Sequence, residues 1–459
     1  MTEQLPLNEL TAVSPIDGRY WSRTKVLLEH FSEFALIRAR VLVECEYLIA
    51  LANAGVVRAF SKEETEFLRF IPQISLDHAR EVKEIEKTTN HDVKAVEYFI
   101  KKRLEGTSLA DVSEWVHFAL TSEDVNSVSQ ALCLRDALEN VIIPTLASLK
   151  EGLRAIALSE ANTVMLARTH GQPASPTTYG KEIAVFVARL ERQLKQINQT
   201  AILVKWGGAT GNWNAHVVAL PDTDWVKLAF TFVQSLNTDH GIVLELNDVT
   251  TQIEPHDTFA ELFDNMGRIN TILLDLSEDL WRYISDDWVL QKPKAGEVGS
   301  SAMPHKVNPI DFENAEGNFG IANVLFEHFS RKLPVSRLQR DLSDSTVTRA
   351  FGTAFGHSLV GYLSLLSGFR KVSADRGAML EAVVSRPEVL AEAIQTILRA
   401  EGVEAPYEQL KELTRGKQIT LEALAAFADS LPVSDAIKQK IKALRPETYI
   451  GLAAHIATQ

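Results

Sequence analysis

No proline interrupts the chain between Pro255 and Pro293, and across that span apolar residues recur at three- and four-residue steps. Phe259, Leu262, Phe263, Met266, Ile269, Leu273, Leu276 and Leu280 form one stripe. That is the period of an amphipathic helix. It predicts a helix over 258–288, roughly 40 Å long at ~1.5 Å per residue. Helices this long usually pack side by side in a bundle. Similar stretches are 26–54, 92–104, 144–161, 179–206, 310–332 and 345–371, with Pro144 suited to the first turn of its helix. Strand-like alternation is scarce, and one short extended piece is expected within 242–250. The expectation is an all-α chain of three helical domains. Polar breaks at Glu105–Asp111 and Val372–Arg376 divide it into an N-terminal domain (1–111), a central long-helix bundle (112–371) and a C-terminal domain (372–459). The last contains short helices punctuated by Pro387, Pro406, Pro432 and Pro446.

Composition narrows the partners. Of 459 residues, 46% are hydrophobic and 23% charged, enough to bury a large core. Lys and Arg number 47 against 60 Asp and Glu, a formal charge of −13, which argues against nucleic acid or an anionic membrane as partner. A local basic pocket for a small anion remains compatible with that charge. Cys45 and Cys133 are far apart, without metal-ligand spacing, as expected of a reducing compartment and a cytoplasmic protein. Met1–Leu10 does not read as a signal peptide, and no run of 18 apolar residues is present.

The chemistry-bearing stretches lie between helices. In 296–318, Gly296, Gly299, Ser300 and Ser301 disfavour regular structure, and Pro304 and Pro309 bracket His305, Lys306 and Asn308. Ile310, Phe312, Ala315, Phe319 and Ile321 then suit a helix starting near Pro309, with Asn314 on it. Loop amides, a lysine and a helix N-terminus together can hold an anion. A closing loop over about 294–302 is expected, ordering on a ligand. In Arg168–Ala174, Gly171 and Pro173 force an irregular backbone around His170, a group suited to proton transfer. Asn90, His91 and Asp92 join two helical patterns, where Asn90 or Asp92 would serve equally as a helix cap. Thr121 and Ser122 could donate hydroxyls to a carboxylate or cap a helix; Gln252 could bind a carboxylate or amide. Arg340 and Arg349, with Ser345 and Thr346, could clamp a phosphate or form a solvated turn. Arg19 and Tyr20 offer a guanidinium and a phenol to a nucleotide. No metal-ligand spacing or dinucleotide fingerprint occurs, so chemistry without a cofactor is the simplest expectation.

Several of these stretches resemble a known family. Gly299-Ser300-Ser301-Ala302-Met303-Pro304-His305-Lys306-Val307-Asn308-Pro309 resembles the G-S-S-x-M-P-x-K-x-N-P segment of the fumarase/aspartase superfamily. Arg168-Thr169-His170-Gly171-Gln172-Pro173-Ala174 is similar to the form found in its adenylosuccinate lyase branch. Likeness to that branch extends from Asp17-Gly18-Arg19-Tyr20 to Arg415-Gly416. The resemblance implies an all-α homotetramer whose central bundles form the core, with four cofactor-free sites, each drawn from three subunits. It implies elimination of fumarate from adenylosuccinate and from the succinyl-aminoimidazole-carboxamide ribotide of purine biosynthesis. By the same carry-over, His170 is the general acid and Ser300 the general base. Lys306 and Asn308 hold the carboxylate whose charge grows, and Thr121, Ser122, Gln252, Ser301 and Asn314 bind the substrate. Asn90, His91 and Asp92 attend the nucleotide, and Arg19, Tyr20, Arg340, Ser345, Thr346 and Arg349 its phosphate end. The nearest alternative is another lyase of the superfamily, of carboxymuconate or argininosuccinate type. A helical protein with a dead site would be expected to lack His170 or Ser300, and both are present.

Overall fold

The computed structural model describes residues 6–239, 241–292, 302–303, 305–414 and 419–459. Ser300, Ser301 and nearly all of the expected closing loop lie outside the described residues. The fold is all-α. Its long helices are Glu33–Asn53, Ile143–Ser159, Tyr179–Gln199, Asp257–Ser285, Ile310–Lys332 and Phe351–Phe369. The Asp257–Ser285 helix has 29 residues, hence a length of about 43 Å. It ends three residues before the expected 288. Asp287 turns left-handed (φ 61°), and the Trp288 N–H returns to the Tyr283 carbonyl at 2.9 Å, closing the helix in a Schellman-like cap.

Three of the expected helical stretches are divided or cut short. The 26–54 stretch breaks at Ser32, whose extended backbone and Oγ, accepting from Ala35 N at 3.1 Å, start a new helix. The 179–206 stretch is helical only to Gln199; Ile202–Lys205 is instead a strand paired in parallel with Leu244–Asn247. Ile202 and Val204 are β-branched and buried, which fits a pleated surface, and Leu244 packs buried on the partner strand. The 345–371 stretch divides into Ser343–Thr348 and Phe351–Phe369.

The chain forms two compact units. The first comprises Met1–Ala147, Arg192–Thr271 and Ala315–Leu363. Phe263 sits at the centre of its core, with ring centroids of Phe351, Phe329 and Phe326 at 4.8, 5.4 and 5.8 Å. Phe355 stacks on Phe31 at 5.1 Å. Burying each such ring contributes ~1.5–3 kcal/mol, and a well-oriented pair ~0.5–1.5 more. Polar order runs through the same core: Asn270 Nδ2 donates to Ser358 Oγ at 2.9 Å and Tyr362 Oη donates to Asn270 Oδ1 at 2.7 Å. Each neutral bond contributes about 1 kcal/mol net, so the rings supply most of the stability. The polar groups are expensive to leave unpaired, and so select the helix register.

The second unit comprises Ser148–Glu191, Ile272–Asn314 and Ser364–Gln459. Gly180 opens the way for two backbones to touch: its N–H reaches the Glu160 carbonyl at 3.0 Å, and a Cβ there would fall 2.6 Å from Ala161 N. Two-residue strands Val164–Met165 and Thr177–Thr178 pair antiparallel, as do Val289–Gln291 and Val372–Ala374. The C-terminal short helices close over Leu390, Ile394, Leu398, Leu410, Leu424 and Ile441. Among the described residues, no helix is long and apolar enough to cross a membrane.

Gly361 packs against the Phe319 ring so closely that a methyl group would overlap it. Gly361→Ala is therefore expected to destabilise the first unit by ~1–3 kcal/mol through overpacking, despite the better helix propensity of alanine. A lowered urea midpoint checks this; an unchanged or raised midpoint would show that the ring can move aside.

Candidate active site

The first unit carries most of the expected site residues. The Leu76–Thr89 helix ends at Asn90, left-handed with φ 49°. His91 then caps the Asp92–Leu104 helix: its Nδ1 accepts from Lys94 N at 3.2 Å. The first amides are shared by His91 Nδ1 and Asp92, whose Oδ1 accepts from Val93 N at 2.9 Å. Because Nδ1 accepts, the neutral ring carries its proton on Nε2. That nitrogen lies 3.3 Å from Ser122 Oγ, so two residues 31 apart in sequence are brought together.

The other carboxylate oxygen of Asp92 pairs with guanidiniums. This Oδ2 lies 2.8 Å from Arg40 Nη2 and 3.6 Å from Arg349 Nη2. Burial pushes the Asp92 carboxyl up, but Arg40, the Val93 amide and Arg349 outweigh it and hold the group below its usual range. From Arg40 a polar chain continues. Its Nε donates to Asn126 Oδ1 at 2.9 Å, Asn126 Nδ2 donates to Glu123 Oε2 at 3.4 Å, and Glu123 Oε2 lies 2.9 Å from Arg340 Nη2. Asp344 stands 3.6 Å from Arg340 Nε, a buried atom with no hydrogen-bond partner among the described residues. Arg349 Nη1 donates to the Ser345 carbonyl at 2.7 Å and also reaches Ser345 Oγ.

Arg40, Glu123, Arg340, Ser345 and Arg349 line one cavity of about 180 Å³. Thr346 is exposed beside it, Arg19 is exposed and Tyr20 half-buried; none of the three lines it.

Thr121 and Ser122 begin the Ser122–Ala137 helix, and Asp124 fastens that end. Asp124 Oδ2 accepts from Thr121 N at 2.7 Å; Oδ1 accepts from Gly207 N and Gly208 N at 2.8 and 3.1 Å. Lys205 Nζ reaches Oδ1 at 2.6 Å with both side chains fully buried, and donates also to the Gly208 carbonyl. Burial lowers the Lys205 pKa, with Asp124 opposing. The glycine turn thus anchored meets Gln252, whose Nε2 donates to the Ala209 carbonyl at 3.2 Å. Glu254 accepts the backbone N–H of His256 and the Asn247 Nδ2 amide.

In the second unit, Arg168–Thr169 and Gln172–Pro173 pair antiparallel with Thr169 opposite Gln172. The two-residue turn between them is His170-Gly171, both left-handed (φ 54° and 74°), the geometry of a type I′ hairpin. The exposed His170 ring is therefore presented at a hairpin tip. Lys306 is exposed and Asn308 half-buried just before the Ile310–Lys332 helix. That helix starts one residue after Pro309, whose carbonyl accepts from Phe312 N and Glu313 N at 3.0 and 3.2 Å. Asn314 Nδ2 donates to Ser364 Oγ at 2.8 Å. Among the described residues no group of His, Cys, Asp and Glu is placed to hold a metal ion.

These features meet close matches among known proteins. A family model described as "Lyase" matches residues 18–324, and one described as "Adenylosuccinate lyase C-terminal" matches residues 336–450. Adenylosuccinate lyase of Vibrio cholerae is 48% identical over 458 residues, covering 98% of this chain and 99% of that one. The enzyme of that name from Dictyostelium discoideum is 50% identical over 464 residues, covering 98% of each. The chain belongs to the adenylosuccinate lyase family. Solved structures share the fold at lower identity. A fumarate lyase from Mesorhizobium sp. BNC1 has a TM-score of 0.73 at 17% identity, covering 94% of this chain and 96% of its own. The 3-carboxy-cis,cis-muconate lactonizing enzyme of Pseudomonas putida has 0.70 at 20% identity, covering 94% and 95%.

Within this adenylosuccinate lyase family member, several groups at the site went unread in the sequence: Arg40, Glu123, Asp124, Asn126 and Lys205. A signal existed for two of them. Arg40 stands alone in Ala39–Val43, and Lys205 lies between Val204 and Trp206, each a charge inside an apolar run that must find a buried partner. Lys205→Met should destabilise the protein by ~3–5 kcal/mol, because Asp124 keeps its charge in a dry site without its cation. Urea unfolding measures this; a loss below ~1 kcal/mol would mean that the amides alone satisfy Asp124.

Proposed function

We propose that this protein cleaves adenylosuccinate to AMP and fumarate, and the succinyl-aminoimidazole-carboxamide ribotide to its carboxamide and fumarate, without a metal or redox cofactor. The observation that carries the reading is the cavity on which Arg40, Arg340, Ser345 and Arg349 converge. Arginine forks suit the oxygens of a phosphate monoester, and the near-full-length 48% identity to enzymes named adenylosuccinate lyase supports the rest of the substrate.

The chemistry follows from the succinyl group. A base removes a proton from the carbon next to one carboxylate, that electron pair becomes the new C=C bond, and the C–N bond breaks. The departing nitrogen takes a proton from the general acid. Ser300 is the base in this reading and His170 the acid. Lys306 and Asn308 hold the carboxylate on which charge accumulates, with Ser301 and Asn314 nearby in the same sequence region. A serine hydroxyl is a weak base, so Lys306 and loop amides must favour its alkoxide, and closure of the loop must exclude water. Thr121, Ser122 and Gln252 serve the succinyl carboxylates, His91 and Asn90 the nucleotide, and Arg19, Tyr20 and Thr346 the outer phosphate contacts. The protein acts in this proposal as a cytoplasmic homotetramer with the long helices at its centre, and each site draws Thr121, His170 and Ser300 from three subunits.

Turnover of adenylosuccinate, followed by the change in purine absorbance, should persist in strong chelator. Loss that a divalent cation restores would overturn the cofactor-free mechanism. His170→Ala and Ser300→Ala should each lower kcat by on the order of 10²–10⁴-fold with little change in substrate affinity. Near-normal activity in Ser300→Ala with a dead Ser301→Ala would move the base to the second serine. Refolding the two inactive variants together in equal amounts should restore roughly a quarter of the sites if each draws its histidine and serine from different subunits of a closed tetramer. Mixed, folded tetramers with no regained activity would place both residues in one subunit's site.

A further inference from the structure

The arginine cavity is built almost neutral. Three guanidiniums, Arg40, Arg340 and Arg349, face three carboxylates, Asp92, Glu123 and Asp344, in one continuous polar chain. A phosphate monoester brings close to two negative charges. Placed among these groups, it would compete with the carboxylates for the same guanidiniums and leave uncompensated negative charge beside the buried Glu123 and Asp344. Either the carboxylates must be displaced or one must be neutralised.

We propose that Glu123 is an exchangeable counter-ion: when a dianionic phosphate monoester enters the cavity, Arg340 passes from Glu123 to the phosphate and the Glu123 carboxylate takes up a proton from solvent. This rests on the reading of the cavity as the phosphate end of the nucleotide site. The only bond made is the O–H bond of Glu123, and solvent supplies the proton. Geometry singles out this carboxylate. Its side chain is 3% exposed, against 27% for Asp92. Asp92 is held by two arginines and a backbone amide, whereas Glu123 has Arg340 and the long 3.4 Å contact from Asn126.

Asp92 pairs with Arg40 and Arg349, Asp124 with Lys205, and His256 stands beside Asp344 and Arg340. Arg340 and Asp344 face Glu123 from the segment after the Ile310–Lys332 helix, Lys205 from the Ile202–Lys205 strand, and Arg40 through Asn126. His30, Glu33, Cys133 and Arg349 border the same cavity. Burial raises the Glu123 pKa to about 7, with Arg340 opposing and Asp344 adding to the rise. A dianion beside it raises the pKa further, so binding draws in a proton wherever the free protein has lost it. Once protonated, Glu123 becomes a hydrogen-bond donor and no longer competes for Arg340.

Calorimetric titration with AMP in buffers of different ionisation enthalpy counts the proton directly. At pH 8 the wild type should take up roughly nine-tenths of a proton, since Glu123 is mostly ionised when free and the phosphate, with its second pKa near 6, is already dianionic. At pH 6 the sign should reverse to a net release of roughly half a proton, now from the phosphate itself. Glu123→Gln should keep the release at pH 6 and lose the uptake at pH 8. Its AMP affinity should also stay level above pH 8, where that of the wild type weakens by close to tenfold per pH unit. Uptake at pH 8 that persists in the glutamine variant, or is absent from the wild type, overturns the proposal. Should the variant fail to fold, the wild-type infrared difference spectrum decides: a new carboxylic acid C=O band on AMP binding at pH 8 supports it, and none overturns it. Arg349→Ala separates the two readings. If AMP affinity falls at least tenfold there, the phosphate reading stands whatever the proton count shows; if affinity is unchanged, that reading fails and the counter-ion role with it.

Discussion

Asp124 is the carboxylate on which the first unit's site depends. It lies fully buried and receives Thr121 N, Gly207 N, Gly208 N and the Lys205 ammonium. An isolated carboxylate in such a place would cost several kcal/mol or neutralise itself. Four donors from two separate segments remove that penalty only in one arrangement. The start of the Ser122–Ala137 helix is thereby locked against the glycine turn at 207–211. Ser122, Glu123 and Asn126 all stand on the helix so anchored, and Gln252 reaches the same turn through the Ala209 carbonyl. Moving Asp124 would displace both the hydroxyl side and the guanidinium side of the site.

Backbone strain is concentrated where these segments turn. Asn90, His117, Ala119 and His170 adopt φ of 49°, 61°, 58° and 54°, a region that disfavours residues with a Cβ and costs of order 1 kcal/mol or more each. Local bonds hold several of them. His117 N donates to Glu44 Oε2 at 3.1 Å, and Tyr47 Oη donates to the Phe118 carbonyl at 3.3 Å, both from the Glu33–Asn53 helix. Asn90 N returns to the Glu86 carbonyl at 2.7 Å. Strain before Thr121 is thus offset by the Glu33–Asn53 helix, which also supplies Arg40, and strain at His91's flank by the Leu76–Thr89 helix. At His170 the strained conformation belongs to the hairpin turn itself, which points the ring outward from the second unit.

The helical plan was legible because it rests on local repetition. Phe259, Leu262, Phe263, Met266 and Ile269 keep their period over a proline-free span, and all five are buried. The 92–104 helix falls at its expected residues, since His91, Asp92 and the left-handed Asn90 mark its start locally. The strand at 202–205 was not legible. Its pairing partner lies about 40 residues on, and a short apolar run after a helix reads as more helix until that partner is known. The split of 26–54 at Ser32 is a single-residue event that a period of 3.6 cannot register.

By itself, the sequence determined the all-α class, the long helices, the segments that carry the chemistry and the family, because each is written in contiguous residues. Only tertiary structure decided which charges meet. Arg40 and Asp92 are 52 positions apart, Lys205 and Gly207 are about 80 from Asp124, and Arg340 is more than 200 from Glu123. A charge in an apolar run announces that it needs a partner, but not which one. That choice belongs to burial, where an unpaired ion is so costly that the fold survives only with each of these charges matched.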